Sequence, residues 1–327
     1  MEIAAQALTN KKRRDGTVYY GRSDMYYHSL SDALKEEFGA KVYKLALDAG
    51  CTCPNRDGTL DTRGCIFCSE GGSGDFAADS NLSVTAQIDS AKSRVARKIK
   101  DGRYIAYFQN FTNTYAPLSR LEKIYTEALF HPDIAALSIA TRPDCLPDET
   151  VDFLARLNRI KPVWVELGLQ TIHPKTAELI RRGFDLSCFN DAVDRLNRAG
   201  LRIVVHLILG LPGESRADIM ASVSYIAELP IDGVKLQLLH VLKNTDLADM
   251  YEAGEFEVLT REEYIDLLAE CVERLPERIV LHRLTGDGPK SLLIAPLWSG
   301  DKRGVLNGIY REFTRRNVRQ GRLVKEK

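Results

Sequence analysis

The chain has 327 residues, 44% hydrophobic and 28% charged, a composition that supports a sizeable core and excludes a disordered or fibrous protein. It holds no apolar run of about eighteen residues, so no membrane-spanning helix is expected; its basic residues follow a short apolar start, the reverse of a signal peptide. The 45 basic and 45 acidic side chains cancel unevenly, with +3 over residues 1–22, +6 over 301–327 and −9 between them. Basic ends on an acidic body point to a polyanionic partner, with solvated tails as the plain alternative. Seven cysteines, an odd number, point to a reducing compartment, so a cytoplasmic location is expected.

From residue 41 short β-rich runs alternate with longer helical patterns. Strands are expected at 41–48, 104–109, 134–142, 163–170, 202–210 and 233–241. Helices are expected between them at 85–100, 119–130, 148–158, 174–181 with 189–199, 216–228 and 261–274, punctuated by Asp101-Gly102, Pro147-Asp148 and Ala199-Gly200. Six βα units in succession call for parallel strands with right-handed crossovers. Beyond them, 278–284 reads as another strand and 292–298 as a short apolar run. Residues 304–320 read as a basic helix with Val305, Ile309 and Phe313 spaced for docking. The organisation expected is a basic and aromatic N-terminal extension (1–40), a core (41–275) and a C-terminal extension ending in a basic helix and tail (276–327).

Such a sheet is either flat and doubly wound or a barrel, complete or partial. Side chains alternate along a strand, so Glu166, Gly168 and Gln170 share one face, as do His206, Ile208 and Gly210, and Lys235, Gln237 and Leu239. A strand sandwiched between two helical layers is apolar on both faces. Polar groups on one face of three successive strands therefore favour a barrel whose interior is open to a ligand. An ion pair between Glu166 and Lys235 that serves stability alone is the competing reading.

In a parallel α/β barrel the reacting groups sit on the loops after the strands. Here those loops hold Gln109-Asn-Phe-Thr-Asn113, Thr141-Arg-Pro-Asp144, Gln170, Gly210-Leu-Pro-Gly-Glu214 and His240-Val-Leu-Lys243. The first holds four cysteines, Cys51, Cys53, Cys65 and Cys68, followed by Gly71-Gly72-Ser73-Gly74, a turn through which backbone amides can approach a ligand. Cys65 and Cys68 have metal-ligand spacing. Cys51 and Cys53 are two apart, so on an extended segment they point to opposite sides. Three ligands, Cys53, Cys65 and Cys68, are the natural set, and either zinc or an iron–sulfur cluster fits thiolates. Arg142 and Lys243 face the mouth as candidates for a substrate carboxylate or phosphate, with surface ion pairing as the alternative. Cys145, Cys188 and Cys271 are read as packing residues, and His173 and His282 lack ligand partners at useful spacing.

A three-cysteine loop after the first strand of a βα series resembles the radical S-adenosylmethionine (radical SAM) enzymes. Their usual spacing is Cys-x3-Cys-x2-Cys, whereas eleven residues separate Cys53 from Cys65. That longer gap resembles the branch holding the Elongator catalytic subunit and the YhcC/YtqA (MnmL-type) proteins. The latter group is also resembled in Cys53-Pro-Asn-Arg-Asp-Gly58, Gly64-Cys-Ile-Phe-Cys68, Gly72-Ser-Gly-Asp-Phe76 and Tyr107-Phe-Gln-Asn-Phe-Thr-Asn-Thr-Tyr115. Thr141-Arg-Pro-Asp-Cys-Leu-Pro-Asp148, Glu166-Leu-Gly-Leu-Gln170, His206-Leu-Ile-Leu-Gly-Leu-Pro-Gly-Glu214 and Arg283-Leu-Thr-Gly-Asp287 extend the match.

The resemblance implies an α/β fold, a partial (β/α)6 TIM-like barrel with N- and C-terminal extensions. It implies a 4Fe-4S cluster on Cys53, Cys65 and Cys68 whose fourth iron chelates S-adenosylmethionine (SAM) and cleaves it to a 5′-deoxyadenosyl radical. Carried over by position, Glu166 and Gln170 contact the SAM ribose or amino acid. Gly210 and Glu214 lie near the adenosine, Leu239 and His240 near the adenine, and Gly72, Gln109 and Thr141 complete the cofactor set. YtqA-like members are associated with converting 5-carboxymethylaminomethyl to 5-aminomethyl on the wobble uridine of tRNA. The partners then implied are a tRNA anticodon loop, reduced flavodoxin or ferredoxin as electron donor, and a downstream tRNA methyltransferase. The basic ends fit that substrate: Lys11, Lys12, Arg13 and Arg14 near Tyr19 and Tyr20, and Arg311, Arg315, Arg316, Arg319 and Arg322. A radical enzyme acting on a small metabolite and a non-enzymatic, zinc-stapled RNA-binding protein are the competing readings.

Overall fold

The computed structural model describes residues 26–72, 77–96, 102–286 and 288–324. The expectations placed on Lys11–Arg14, Tyr19, Tyr20, residues 73–76 and Asp287 lie outside the described residues. The described residues form nine strands: β1 (Val42–Leu47), β2 (Arg103–Phe108), β3 (Ile134–Thr141), β4 (Val163–Gln170), β5 (Arg202–Leu209), β6 (Gly233–Leu238), β7 (Val241–Leu242), β8 (Val280–Arg283) and β9 (Leu293–Ala295). Seven of them form one sheet in the order β1-β2-β3-β4-β5-β6-β8, and every neighbouring pair is parallel. The sheet curls into a half-barrel of α/β type. The run expected to continue to 241 stops at Leu238, and after Leu239 and His240 the chain re-enters as β7, antiparallel to β9. The sheet thus continues past residue 275 through β8.

Ten helices are described: α1 (Leu30–Phe38), α2 (Val84–Val95), α3 (Leu118–Phe130), α4 (Asp148–Asn158), α5 (Pro174–Leu179), α6 (Leu186–Arg198), α7 (Arg216–Glu228), α8 (Asp246–Glu252), α9 (Arg261–Arg274) and α10 (Lys302–Arg316). Ser215 with Asp218 and Thr260 with Glu263 form capping boxes that start α7 and α9, supplying partners for backbone N–H groups that have none inside the helix. Among the described residues no helix is long and apolar enough to cross a membrane. The outward faces of the strands bury Leu45, Phe108, Ile139, Val165, Val205 and Leu236 beneath the helices. Each such side chain contributes about 1.5–3 kcal/mol of burial free energy.

The inward faces are layered. At the N-terminal ends of the strands, Val42, Ile105, Ala136 and Trp164 close around Leu34 of α1. This helix, inside the stretch assigned to an extension, plugs the bottom of the half-barrel; Ser29 caps it and bridges Leu281 of β8.

Two residues further along each strand the layer is polar and centred on Glu166, which is fully buried. One carboxylate oxygen accepts from Lys44 Nζ at 2.5 Å and Ser138 Oγ at 2.5 Å. The other accepts from His206 Nε2 at 2.7 Å and from Lys235 Nζ, which also donates to Tyr107 OH at 2.8 Å. The ion pair with Lys235 weighed as a competing reading is therefore present, enlarged to six strands. Glu166 stays ionised: burial opposes its charge, and Lys235 and Lys44 overcome that, holding its carboxyl well below the usual range.

Removing this carboxylate leaves buried cations unpaired. Glu166→Ala is expected to lower unfolding free energy by about 3–5 kcal/mol, checked by urea denaturation. Burial, followed by the Lys235 charge, pushes the His206 imidazole down from 6.5 to about 4. The unfolded chain takes up this proton first, so the His206 contribution is complete above pH 6.5 and is lost as pH falls toward 4. Stability measured across that window is expected to decline less steeply in His206→Gln than in the wild type.

Candidate active site

Above the polar layer, at the C-terminal ends of the strands, a cavity of about 290 Å³ opens. It is lined by Cys53, Cys65, Cys68, Gly72, Gln109, Thr141, Arg142, Glu166, Gln170, Leu239 and His240, bringing together eleven of the fourteen residues expected at the site. The exceptions lie off the cavity for identifiable reasons. Gly210 turns at φ +88° against Leu259. Glu214 is turned away to accept the Thr171 hydroxyl, and burial raises its carboxyl. Lys243 stands exposed where its backbone N–H bonds the Leu292 carbonyl.

The eleven-residue gap does not part the cysteines, because the insert folds back on itself. Leu60 N–H bonds the Pro54 carbonyl at 2.8 Å and Gly64 N–H bonds the Asn55 carbonyl at 2.7 Å, returning the chain to Cys65 beside Cys53. Arg56 donates to the carbonyls of Cys68 at 2.9 Å and Ser69 at 2.6 Å and lies 5.5 Å from the Phe111 ring centre. Asn55, 1% exposed, donates to the Arg181 carbonyl at 2.6 Å and lies 3.5 Å from Cys65 Sγ. A Cβ at Gly183 would sit 2.8 Å from Asn55 Oδ1, so this close approach requires glycine, which there has φ +82°. Cys51 is buried outside the lining, and burial pushes its thiol up to about 11.

None of the seven cysteines forms a disulfide. Burial, with the neighbouring Cys68, pushes the Cys65 thiol up to about 12, so metal binding there releases a proton. Among the described residues no three His, Cys, Asp or Glu side chains converge on a point where one metal ion could bind them. A tetrahedral zinc with bonds of about 2.3 Å needs sulfurs roughly 3.8 Å apart, whereas a polynuclear cluster takes each thiolate on a different iron. Three thiols that share one cavity lining without converging on a single point fit the larger group.

The opposite wall is also prepared. Gln170 takes φ 63°, rare for a residue with a side chain, and folds its amide back over Gly168. A Cβ at 168 would lie 2.6 Å from Gln170 Nε2, and Gln170 Oε1 is buried without a hydrogen-bond partner, an acceptor left for a ligand. Thr141 Oγ1 shares a 2.5 Å hydrogen bond with Thr114. His240 is held by Ser299 Oγ at 3.0 Å, and its ring occupies the place of a Cβ at Gly286. Arg142 is committed to a bidentate pair with Asp144 (2.9 and 2.7 Å) and lies 5.2 Å from the Phe184 ring centre.

The amides of the loop after β2 serve mainly as fasteners. Asn110 donates to Asp48 at 2.6 Å and Asn113 to the carbonyls of Phe108 and Ala140. Arg56, Arg182, Phe184 and Arg283 also line the cavity and were not singled out in the sequence. The run Arg181-Arg182-Gly183-Phe184 was the available signal, an arginine pair and a glycine between two helical patterns.

Two substitutions separate these roles. Gly168→Ala is expected to displace the Gln170 amide and weaken SAM binding about tenfold with an unchanged melting temperature, read by calorimetric titration. Asn55→Ala is expected to lower the iron bound after anaerobic reconstitution, read by metal analysis, because it frees the loop from Arg181.

Comparison with known proteins agrees with this geometry. The Radical SAM superfamily model matches residues 62–226 and the Radical_SAM C-terminal domain model matches residues 231–315. YtqA of Bacillus subtilis is 46% identical over 303 residues, covering 93% of this chain and 94% of that protein. YhcC of Escherichia coli K12 is 37% identical, covering 81% and 85%. The tRNA uridine(34) acetyltransferase of Methanocaldococcus jannaschii is 28% identical, over 49% of this chain and 29% of that protein. The solved structure of Elp3 from Methanocaldococcus infernus superimposes with a TM-score of 0.65 at 19% identity, covering 85% of this chain and 64% of that one, which establishes the shared fold. With the thiols, the half-barrel and these matches in hand, the chain belongs to the radical SAM superfamily of enzymes.

Proposed function

We propose that this radical SAM enzyme modifies the wobble uridine of tRNA, converting a 5-carboxymethylaminomethyl group to 5-aminomethyl. Cys53, Cys65 and Cys68 would hold a 4Fe-4S cluster, with Gln170, Thr141, His240, Gln109 and Gly72 as the wall against which SAM lies. When bound, cluster and SAM supply a carbon radical able to abstract hydrogen; the protein's part is to orient the substrate and exclude water. The observation that carries the reading is the cavity itself: three cysteine thiols in its lining, a buried amide oxygen without a hydrogen-bond partner, and a bottom closed by α1. The choice of tRNA is supported by relatives named as tRNA uridine(34) acetyltransferases and as Elongator complex protein 3, which match about half of this chain. A reduced flavodoxin or ferredoxin would deliver the electron, and the product's primary amine suits a separate methyltransferase.

A small-metabolite substrate is favoured by one observation. The arginines of the C-terminal helix are largely paired within the protein: Arg315 and Arg316 with Glu312, Arg316 also with Asp266, and Arg322 with Glu273. Arg311 is exposed, and Arg319 lies 5.7 Å from the Tyr26 ring centre. Phosphate binding would have to exchange these surface ion pairs, each worth about 0–1 kcal/mol.

Nucleoside mass spectrometry of tRNA from cells lacking the protein is expected to show accumulation of 5-carboxymethylaminomethyluridine. Unaltered wobble uridines would remove the tRNA reading. Reconstituted protein is expected to be brown and Cys65→Ala colourless, and its tRNA affinity to fall steeply with salt.

A further inference from the structure

We propose that the floor of the cavity is a binding subsite for a carboxylate carried by the substrate. This rests on the reading of the cavity as the reaction chamber. The floor is the polar layer of the half-barrel, of which Tyr107, Glu166, His206 and Arg283 line the cavity while Lys44 and Lys235 act on it through Glu166 and Tyr107. Within it, two lysines, Lys44 and Lys235, converge on one carboxylate. A carboxylate offers about four lone-pair sites, and Glu166 has filled them with Lys44, Ser138, His206 and Lys235. It is thus committed to holding the layer together, and it balances one cation of the two.

The excess positive charge is visible in its neighbours. Burial, then the surrounding cations in spite of Glu166, pushes the Lys235 ammonium down to about 7. His282 and His206 are likewise held down, first by burial and then by Lys44 or Lys235. The groups facing Lys235 are Lys44 from β1, Tyr107 from β2, Glu166 from β4, His206 from β5 and Arg283 and His282 from β8. A buried site with surplus cationic charge and hydrogen-bond donors is what a carboxylate requires, and its entry lowers the cost of the buried ammonium. Among the described residues lining the cavity, Glu166 is the one carboxylate, and its charge is already met by Lys44 and Lys235.

The test uses holoprotein and two probes of one shape, acetate and neutral acetamide, titrated by carbon-13 relaxation. Acetate is expected to bind about tenfold tighter than acetamide, and to lose about tenfold in Lys235→Met, where Lys44 and His206 still satisfy Glu166. Its affinity is expected to fall between about pH 6 and about pH 8.5 as Lys235 sheds its proton. Equal binding of the two probes, or displacement of acetate by SAM, would overturn the proposal. Arg283→Gln provides a second measurement if Lys235→Met fails to fold, and unchanged acetate binding in it would count equally against the subsite. The nucleosides 5-carboxymethylaminomethyluridine and 5-aminomethyluridine then separate the two readings. Tighter binding of the carboxylate form supports both; if neither nucleoside binds while acetate behaves as expected, the subsite stands and the wobble-uridine reading falls.

Discussion

One buried carboxylate organises this fold. Glu166 draws Lys44, Ser138, His206 and Lys235 from four other strands onto its two oxygens, and Tyr107 of a fifth joins through Lys235. Well-packed apolar side chains could stabilise that layer as well or better, since desolvating charges is costly. They would also fill the half-barrel. Polar groups that must reach one central acceptor stop the interior from collapsing and leave a chamber above them. The apolar seal of Leu34 and Trp164 below keeps that chamber closed at its base.

The mouth is shaped by the same economy of fixed partners. The long insert after Cys53 closes on its own backbone, Arg56 ties it to Cys68 and Ser69, and Asn55 ties it to the Arg181 carbonyl. Thiols and wall residues from distant loops thus meet with little freedom left to lose, which is how a cofactor and a substrate are oriented for reaction. The protein supplies a dry, pre-shaped volume for reactive chemistry that belongs to its cofactors.

Much of this was legible in the sequence because periodicity reports it directly. The strands at 163–170 and the helices at 148–158, 216–228 and 261–274 coincide with their expected bounds, since apolar runs and cap residues mark both ends. Glu166, Gly168 and Gln170 were read as one inward face, as found. The role of α1 was not legible: nine residues with few apolar positions carry too little pattern to separate a plug from a tail. The short β7–β9 pair escaped for the same reason. Gly210, Glu214 and Lys243 sit on the correct rim in sequence order, but loop conformation turns them away from the cavity, and periodicity says nothing of loop direction. The basic C-terminal helix reads as free charge until the contact of Arg316 with Asp266 of α9 is seen, because composition does not report pairing across helices.

The central claim is that three thiols at the mouth of this chamber hold a cluster with one iron open to SAM. Electron paramagnetic resonance of the reconstituted, reduced protein, recorded with and without SAM, tests it most directly. The account predicts a 4Fe-4S signal whose shape changes when SAM is added. A signal indifferent to SAM, or a colourless protein holding stoichiometric zinc, would contradict it.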